Sequence, residues 1–404
     1  MSSTTARPVI VDADGHVLEP PDGMLKHAPA KYRDRIWHIE VKADGSEWLH
    51  YNNESRPAGG MALAGTAGMS AEDRARALAG KLRYSDVRPG AFTPGPRLPD
   101  LDVEGIRQSV LYPTMLLGLP GLDDADFAEA QANAYNDWIA EYCSFAPDRL
   151  FAVAVLPTQD IERAVRTIRR AKETGHVGVF MRPNPAIGTR KLNDPVYDPI
   201  WRTCQELQMP IGLHPFLAPD MPGACRALGY GDMGSKVKYA PTDSKANPVR
   251  NLGNIFFSQA LSNPFDMMEC VALFCAGGIL ERFPKLTVLF LEANGGWIVS
   301  LLERLDHHFE VFSWDVPNLK MKPSEYFRRQ CYISFDPDES TLAFTANHRL
   351  VGAERIIWAS DYPHPDAKFP GVVQELAEAT ASLDDAKRAR IMGLNARDVY
   401  HLPA

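Results

Sequence analysis

Short apolar runs punctuate this chain at intervals that leave room for one helix between neighbours. Eight of them read as strands: Val9–Asp14, Gln108–Tyr112, Leu150–Leu156, Val177–Arg182, Pro210–His214, Thr287–Glu292, Cys331–Phe335 and Arg355–Ser360. Most are rich in Val, Ile, Leu or Phe and take up charge only in their last residues. That is the pattern of parallel strands covered on both faces. Between them lie amphipathic stretches of helical length: Asp123–Phe145, Ile161–Glu173, Pro195–Gln208, Asp266–Phe283, Trp297–Phe312, Asp338–Leu350 and Gly371–Ser382. In the first, Phe127, Ala130, Ala134, Trp138 and Tyr142 recur near helical spacing. The second follows Thr158-Gln159-Asp160 and stops before Gly175, with cap residues where caps belong. Strand and helix alternating eight times predict an α/β fold, a distorted (β/α)8 TIM barrel. An open doubly wound sheet also alternates, but it wants a glycine-rich phosphate turn after its first strand, and Asp14-Gly15-His16 is not one.

Two stretches depart from the repeat, and both follow barrel strands. Residues 20–101 form a long insertion after the first strand. It is read as a small strand pair, Trp37–Val41 and Glu47–Tyr51 with Asp44-Gly45 as the turn, plus a flap. Residues 217–253, rich in Gly, Pro and Asp, form a loop insertion after the fifth strand. Insertions after barrel strands usually cover the active face, so both are expected to shape a lid. The whole of 1–404 is read as one barrel domain carrying these two additions.

Composition narrows the classes. The chain has 404 residues, 45% of them hydrophobic, which is ample for a large core. The net charge of −8 comes with no basic run or basic–aromatic stripe, so nucleic-acid binding is not expected. No apolar run is long enough for a membrane helix. The cysteines at 143, 204, 225, 270, 275 and 331 show no CxxC spacing and read as free thiols of a reducing, cytoplasmic compartment. Met1–Pro8 lacks the apolar core of a signal peptide. Large apolar residues on Trp297–Phe312 suggest a homodimer contact.

In a barrel the chemistry sits at the C-terminal ends of the strands. The first strand ends in Asp12, Asp14 and His16, with Glu19 just beyond. Alternation would put the first three on one face. The fourth ends in Arg182, the fifth in His214, the sixth in Glu292 followed by Asn294, and the eighth in Asp361 followed by His364. Two carboxylates with imidazoles suit Zn²⁺, Mn²⁺ or Fe²⁺, with one ion expected and two allowed. Glu292 closes a strongly apolar strand and must be paired, protonated or metal-bound; it reads as a general acid/base or a further ligand. Asp361 reads as a ligand, as the group that takes a proton from bound water, or as a turn residue. Arg182 either anchors a substrate carboxylate or pairs with Asp198 or a barrel carboxylate. His364 and Asn294 are placed to touch substrate.

The segments Val11–Pro20, Gly212–Pro215, Glu281–Leu286 leading into Glu292–Trp297, and Ala359–His364 together resemble the amidohydrolase-related branch of the metal-dependent hydrolase superfamily. That branch includes aminocarboxymuconate-semialdehyde and resorcylate-type decarboxylases. The resemblance implies that His16, His214 and Asp361 are metal ligands and that Asp14 replaces the first histidine of a His-x-His pair. The family's decarboxylases carry a catalytic histidine at the end of strand six, where this chain has Glu292-Ala293-Asn294. The superfamily's bridging residue on strand four is replaced by Val179-Phe180-Met181-Arg182, so a second ion would need Glu292 or Asp12 as its bridge. The implied reaction is metal-dependent hydrolysis or non-oxidative decarboxylation of a small-to-medium organic acid or carbonyl compound, aromatic or polycyclic acids included. The carboxylate-rich donor set is also similar to non-haem diiron oxygenase sites, which is the alternative.

Overall fold

All eight apolar runs become strands of one parallel sheet in the computed structural model, which describes residues 8–183, 190–216 and 258–404. β1 (Val11–Val17) is followed by an inserted antiparallel sheet of β2 (His38–Val41), β3 (Glu47–Tyr51) and β4 (Glu54–Pro57). Then come β5 (Gln108–Pro113), β6 (Leu150–Val155), β7 (Gly178–Met181), β8 (Ile211–Leu213), β9 (Val288–Phe290), β10 (Cys331–Phe335) and β11 (Ile356–Trp358). The barrel order is β1-β5-β6-β7-β8-β9-β10-β11. In its middle the strands stay in register: Ile211 of β8 faces both Val179 and Val288. Every residue of these strands is buried except Tyr332, which is half-buried. Removing one Val, Leu, Ile or Phe side chain from water is worth about 1.5–3 kcal/mol, which explains runs without polar alternation.

Helices follow the strands as the spacing predicts. Asp124 and Asp160 accept bonds from the backbone N–H groups of Phe127 and Arg163 and cap the helices Ala125–Ser144 and Ile161–Glu173. The expected Asp266–Phe283 helix is two, Asn263–Cys275 and Ile279–Arg282, because Gly278 adopts a left-handed φ of 86° between them. Asp338–Leu350 shortens to Leu342–Asn347. Val311, Phe312 and Trp314, near the expected subunit contact, are exposed. No helix among the described residues is long and apolar enough to cross a membrane. The five described cysteines are buried and unbridged; Cys225, the segment 217–253 and residues 1–7 lie outside the described residues.

The sheet closes into a barrel at a seam between β1 and β11, and there the strand ladder gives way to side chains. Asp12 spans the joint: Oδ1 accepts from Ser360 N (3.0 Å), and Oδ2 accepts from Ser360 Oγ and Ser109 Oγ (2.8 Å each). Backbone bonds from His16 N to Tyr362 O (2.9 Å) and from Asp361 N to Asp14 O (3.4 Å) complete it. A register shift in β1 between Asp12 and Gly15 makes this geometry. The bulge turns Asp12 to the side that Gly15 faces: a Cβ on Gly15 would lie 2.3 Å from Asp12 Oδ2 and 2.7 Å from Ser109 Oγ. The alternation expected for Asp12, Asp14 and His16 therefore fails at its first member.

The insertion after β1 holds three strands rather than the expected pair, and its helix Pro94–Glu104 packs on the barrel. Glu104 accepts from Gly371 N (2.6 Å) and Val373 N (3.2 Å), satisfying free donors at the start of the helix Val372–Ala379. Arg97 of the same helix is fully buried beside the seam.

Candidate metal centre

Six of the residues singled out from the sequence meet at the C-terminal mouth of the barrel. β1 brings Asp14 and His16, the residue after β8 is His214, and the turns after β9 and β11 bring Glu292, Asp361 and His364. Glu292 and Asp361 sit at φ values of 45° and 52°. Non-glycine residues rarely adopt this left-handed backbone, and such strain concentrates at functional sites. The turn that carries Glu292 is fixed from outside. Glu339 accepts from Gly295 N (3.0 Å) and Gly296 N (3.2 Å), and Trp297 Nε1 donates to Ala293 O (2.8 Å).

The two deepest histidines fix their own tautomers. His16 Nδ1 lies 2.9 Å from Pro113 O and His214 Nδ1 lies 2.8 Å from Pro215 O. A carbonyl only accepts, so each Nδ1 carries a hydrogen and each neutral ring presents a lone pair at Nε2. Those two Nε2 atoms face each other at 3.1 Å. Two lone pairs at that separation repel, so a metal cation or a proton must lie between them. Imidazoles bound to one ion at about 2.1 Å and 90–109° would stand roughly 3.0–3.4 Å apart. Nδ1–H to a backbone carbonyl is also the usual way a ligating imidazole is held.

The carboxylates complete the donor set. Asp14 is buried, and neither of its oxygens has a hydrogen-bond partner. Its Oδ1 lies 3.7 Å from His16 Nε2 and 3.9 Å from His214 Nε2. Glu292 Oε2 lies 2.7 Å from His214 Nε2, and Asp361 Oδ1 lies 3.4 Å from His16 Nε2. A buried carboxylate without a partner is costly, so a divalent cation is the group these donors fit. The side chains of Glu292 and Asp361 are about one-fifth exposed, whereas Asp14, His16 and His214 are sealed in. Glu292 and Asp361 thus mark the open side. His364 is held there between Asp361 Oδ1 (2.7 Å from Nδ1) and Thr114 Oγ1 (3.1 Å from Nε2), with its ring centroid 4.1 Å from that of His16.

Two candidate ligands lie elsewhere. Asp12 is committed to the seam. Glu19 is buried with Oε2 accepting from Met115 N (3.0 Å) and Oε1 from Leu116 N (3.1 Å), so it caps the turn Met115–Gly121. Asn294 is exposed and donates to Asp336 Oδ2 (2.7 Å). Arg182 is buried just beyond β7; Asp198, its alternative partner, accepts from Arg282 (2.8 Å). Sequence reading missed Thr114, which no motif marks, and Arg97, whose contacts are all distant in the chain.

Charge in the cluster is held by protons when no ion is there. Burial pushes the Asp14 carboxyl up to about 8, against the pull of the His214 charge. Burial works against a charge on His214 too, but Glu292 and Asp14 outweigh it and raise the imidazole to about 9. Burial, with His364 and His214 nearby, holds His16 well below its ordinary value. A cation must displace the protons on Asp14 and His214. Binding at pH 7 is expected to release about one to two protons per ion, and apparent affinity to rise between pH 6 and 9. Calorimetry in buffers of different ionisation enthalpy counts those protons; a heat independent of buffer would refute the protonation of Asp14 and His214 in the metal-free protein.

Comparison with known proteins agrees with this architecture. The family model described as amidohydrolase matches residues 11–402. Over 278 residues the chain is 25% identical to 2-amino-3-carboxymuconate-6-semialdehyde decarboxylase of Dictyostelium discoideum, covering 67% of this chain and 66% of that protein. The crystal structure of an amidohydrolase from Mycobacterium avium subsp. paratuberculosis superposes with a TM-score of 0.72 at 20% identity, covering 98% of this chain and all of the other. A dihydroxybenzoic acid decarboxylase from Polaromonas, solved with manganese and the inhibitor 2-nitroresorcinol, gives 0.65 at 19% identity, covering 98% and 97%.

Proposed function

We propose a reaction for this chain from one premise: it belongs to the amidohydrolase family, and it is an enzyme of hydrolase or lyase type. The proposed reaction is metal-dependent, non-oxidative decarboxylation of an aromatic or conjugated carboxylic acid. The observation that carries the metal centre is the pair of imidazole Nε2 atoms facing each other at 3.1 Å above an unbonded buried carboxylate. Asp14, His16, His214 and Asp361 would hold one divalent ion, manganese being the metal bound in the Polaromonas relative. With Asp12 tied into the seam, Glu292 is the remaining candidate to bridge a second. Relatives named as decarboxylases favour loss of CO2 over hydrolysis. No observation favours the oxygenase alternative.

When bound, the ion would supply a Lewis acid that polarises the substrate's carboxylate and its neighbouring oxygen. The chain's own residues do the rest. The bond between carboxyl and ring carbon breaks, its electron pair stays on that carbon, and the carbon takes a proton as CO2 leaves. Glu292, on the open side and carried on a pinned turn, would deliver that proton. Arg182 orients an anionic group, while His364 fixes Asp361 and faces the substrate with Asn294 at the rim. Metal-stripped protein reloaded with Mn²⁺ and offered carboxyl-labelled hydroxybenzoates and conjugated dienoic acids should release labelled CO2 only when loaded. Turnover of esters, amides or lactones, with no CO2 from any acid in the panel, would replace this reading by hydrolysis.

A further inference from the structure

We propose that Arg97, supplied by the insertion after β1, is a positioning residue for the metal centre; this rests on the metal-centre reading itself. The candidate ligands lie on both sides of the one joint in the barrel where no strand pairing is found among the described residues. Asp14 and His16 stand on one side of the seam and Asp361 on the other; no β1–β11 ladder runs there, and besides the Asp12–Ser360 clamp only two backbone bonds, His16 N to Tyr362 O and Asp361 N to Asp14 O, cross between them. Arg97 reaches both sides. Its Nη1 donates to the carbonyl of His16 (2.6 Å), and its Nη2 lies 3.5 Å from the carbonyl of Tyr362, the residue after Asp361. Its guanidinium also lies 4.8 Å from the centre of the Tyr362 ring. A guanidinium is planar and its donors keep a fixed spread, so this side chain braces the two carbonyls alongside the His16 N to Tyr362 O bond.

The helix Pro94–Glu104 grips the same residue a second time. Asp100, three residues after Arg97, accepts from Tyr362 Oη (2.5 Å) and is itself held by Arg88 (2.5 Å). Arg97 is fully buried and makes no ion pair within 4.0 Å among the described residues; its two terminal nitrogens turn to the two carbonyls instead. Burying a cation this way is costly where only stability is served. Its effect here is to hold His16 and Asp361 at the 3.4 Å separation seen between their ligand atoms. The insertion thus does more than cover the mouth: it completes the frame on which the ligands are mounted.

The test compares Mn²⁺ affinity with the melting temperature of the metal-free protein. Arg97→Lys keeps a charge but offers a single head group that cannot span both carbonyls, and a loss of about 10–100-fold in Mn²⁺ affinity is expected. Asp100→Asn, which weakens the grip on Tyr362 from the side, should lower affinity by less. Glu104→Gln cuts the same helix's anchor to Gly371 and Val373, away from the cluster, and should lower the melting temperature with Mn²⁺ affinity intact. The line shape of bound Mn²⁺ in electron paramagnetic resonance should change in the Arg97 variant and not in the Glu104 variant. Wild-type affinity in Arg97→Lys, or in Asp100→Asn should the first variant not fold, overturns the inference. Equal affinity losses in the Arg97 and Glu104 variants do the same. A wild-type protein that binds no Mn²⁺ would instead overturn the metal-centre reading itself.

Discussion

Replacing His214 by alanine is expected to empty the barrel of metal and to abolish turnover. His214 Nε2 lies 3.1 Å from His16 Nε2, 2.7 Å from Glu292 Oε2 and 3.9 Å from Asp14 Oδ1, so it stands between the first-strand candidate ligands and the carboxylate that follows β9. Structural zinc sites in small domains bind with about 10–16 kcal/mol shared over four ligands, roughly 2.5–4 kcal/mol each, so one lost ligand corresponds to ~10²–10³-fold in affinity. No other described imidazole replaces it: His16 is already one of the candidate ligands, His364 is held by Asp361 and Thr114, and the other described histidines belong to neither candidate cluster. Elemental analysis after dialysis against micromolar Mn²⁺ should find about one ion per wild-type chain and a small fraction of that in the variant. Equal metal content in the two proteins would remove His214 from the ligand set. The fold should survive, because the imidazole's bonds are to Pro215 O and to other members of the cluster rather than across the barrel ladder.

The sequence carried most of what positions this centre, and the physical reason is burial. A strand covered on both faces has no polar positions to spare, so its first charged residue marks the place where it leaves the sheet. That rule located His214, Glu292 and Asp361 at strand ends, and the structure brings them within one cluster with Asp14 and His16. It misled at Asp12. Alternation assigns a face only while the strand stays regular, and the bulge between Asp12 and Gly15 turned that carboxylate into a seam clamp. Glu19 misled for a related reason: a buried glutamate can serve two backbone N–H groups of a turn nearly a hundred residues away, and nothing local announces it. Glu54–Pro57 was missed as a strand because only Arg56 is half-buried and the rest face solvent, leaving no apolar signature. Arg97 was illegible because its role depends on the closure of the barrel, which joins residues more than eighty and more than two hundred and sixty positions away.

Glu292→Gln is expected to separate metal binding from proton transfer. The substitution keeps the length of the side chain and one carbonyl oxygen, so the variant should retain its ion. It removes the proton that the carboxyl would carry to the ring carbon, and losing a positioned acid or base costs about 10²–10⁴ in rate. Three features make the loss specific to this residue. Its turn is pinned by Glu339 and by the Trp297 indole, so the substitution leaves the backbone at this position in place. Asp14 is sealed below the ion site and cannot reach a substrate. Asp361, the other carboxylate on the open side, is occupied by His364 at 2.7 Å. The reverse of the reaction supplies a readout that needs no steady-state substrate. The decarboxylated product held with Mn²⁺-loaded enzyme in D2O should exchange its ring hydrogen for deuterium at the position that lost CO2, and Glu292→Gln should slow that exchange by the same factor as kcat. Full exchange in the variant would move the proton to the Asp361–His364 pair, and loss of Mn²⁺ along with exchange would make Glu292 a ligand first.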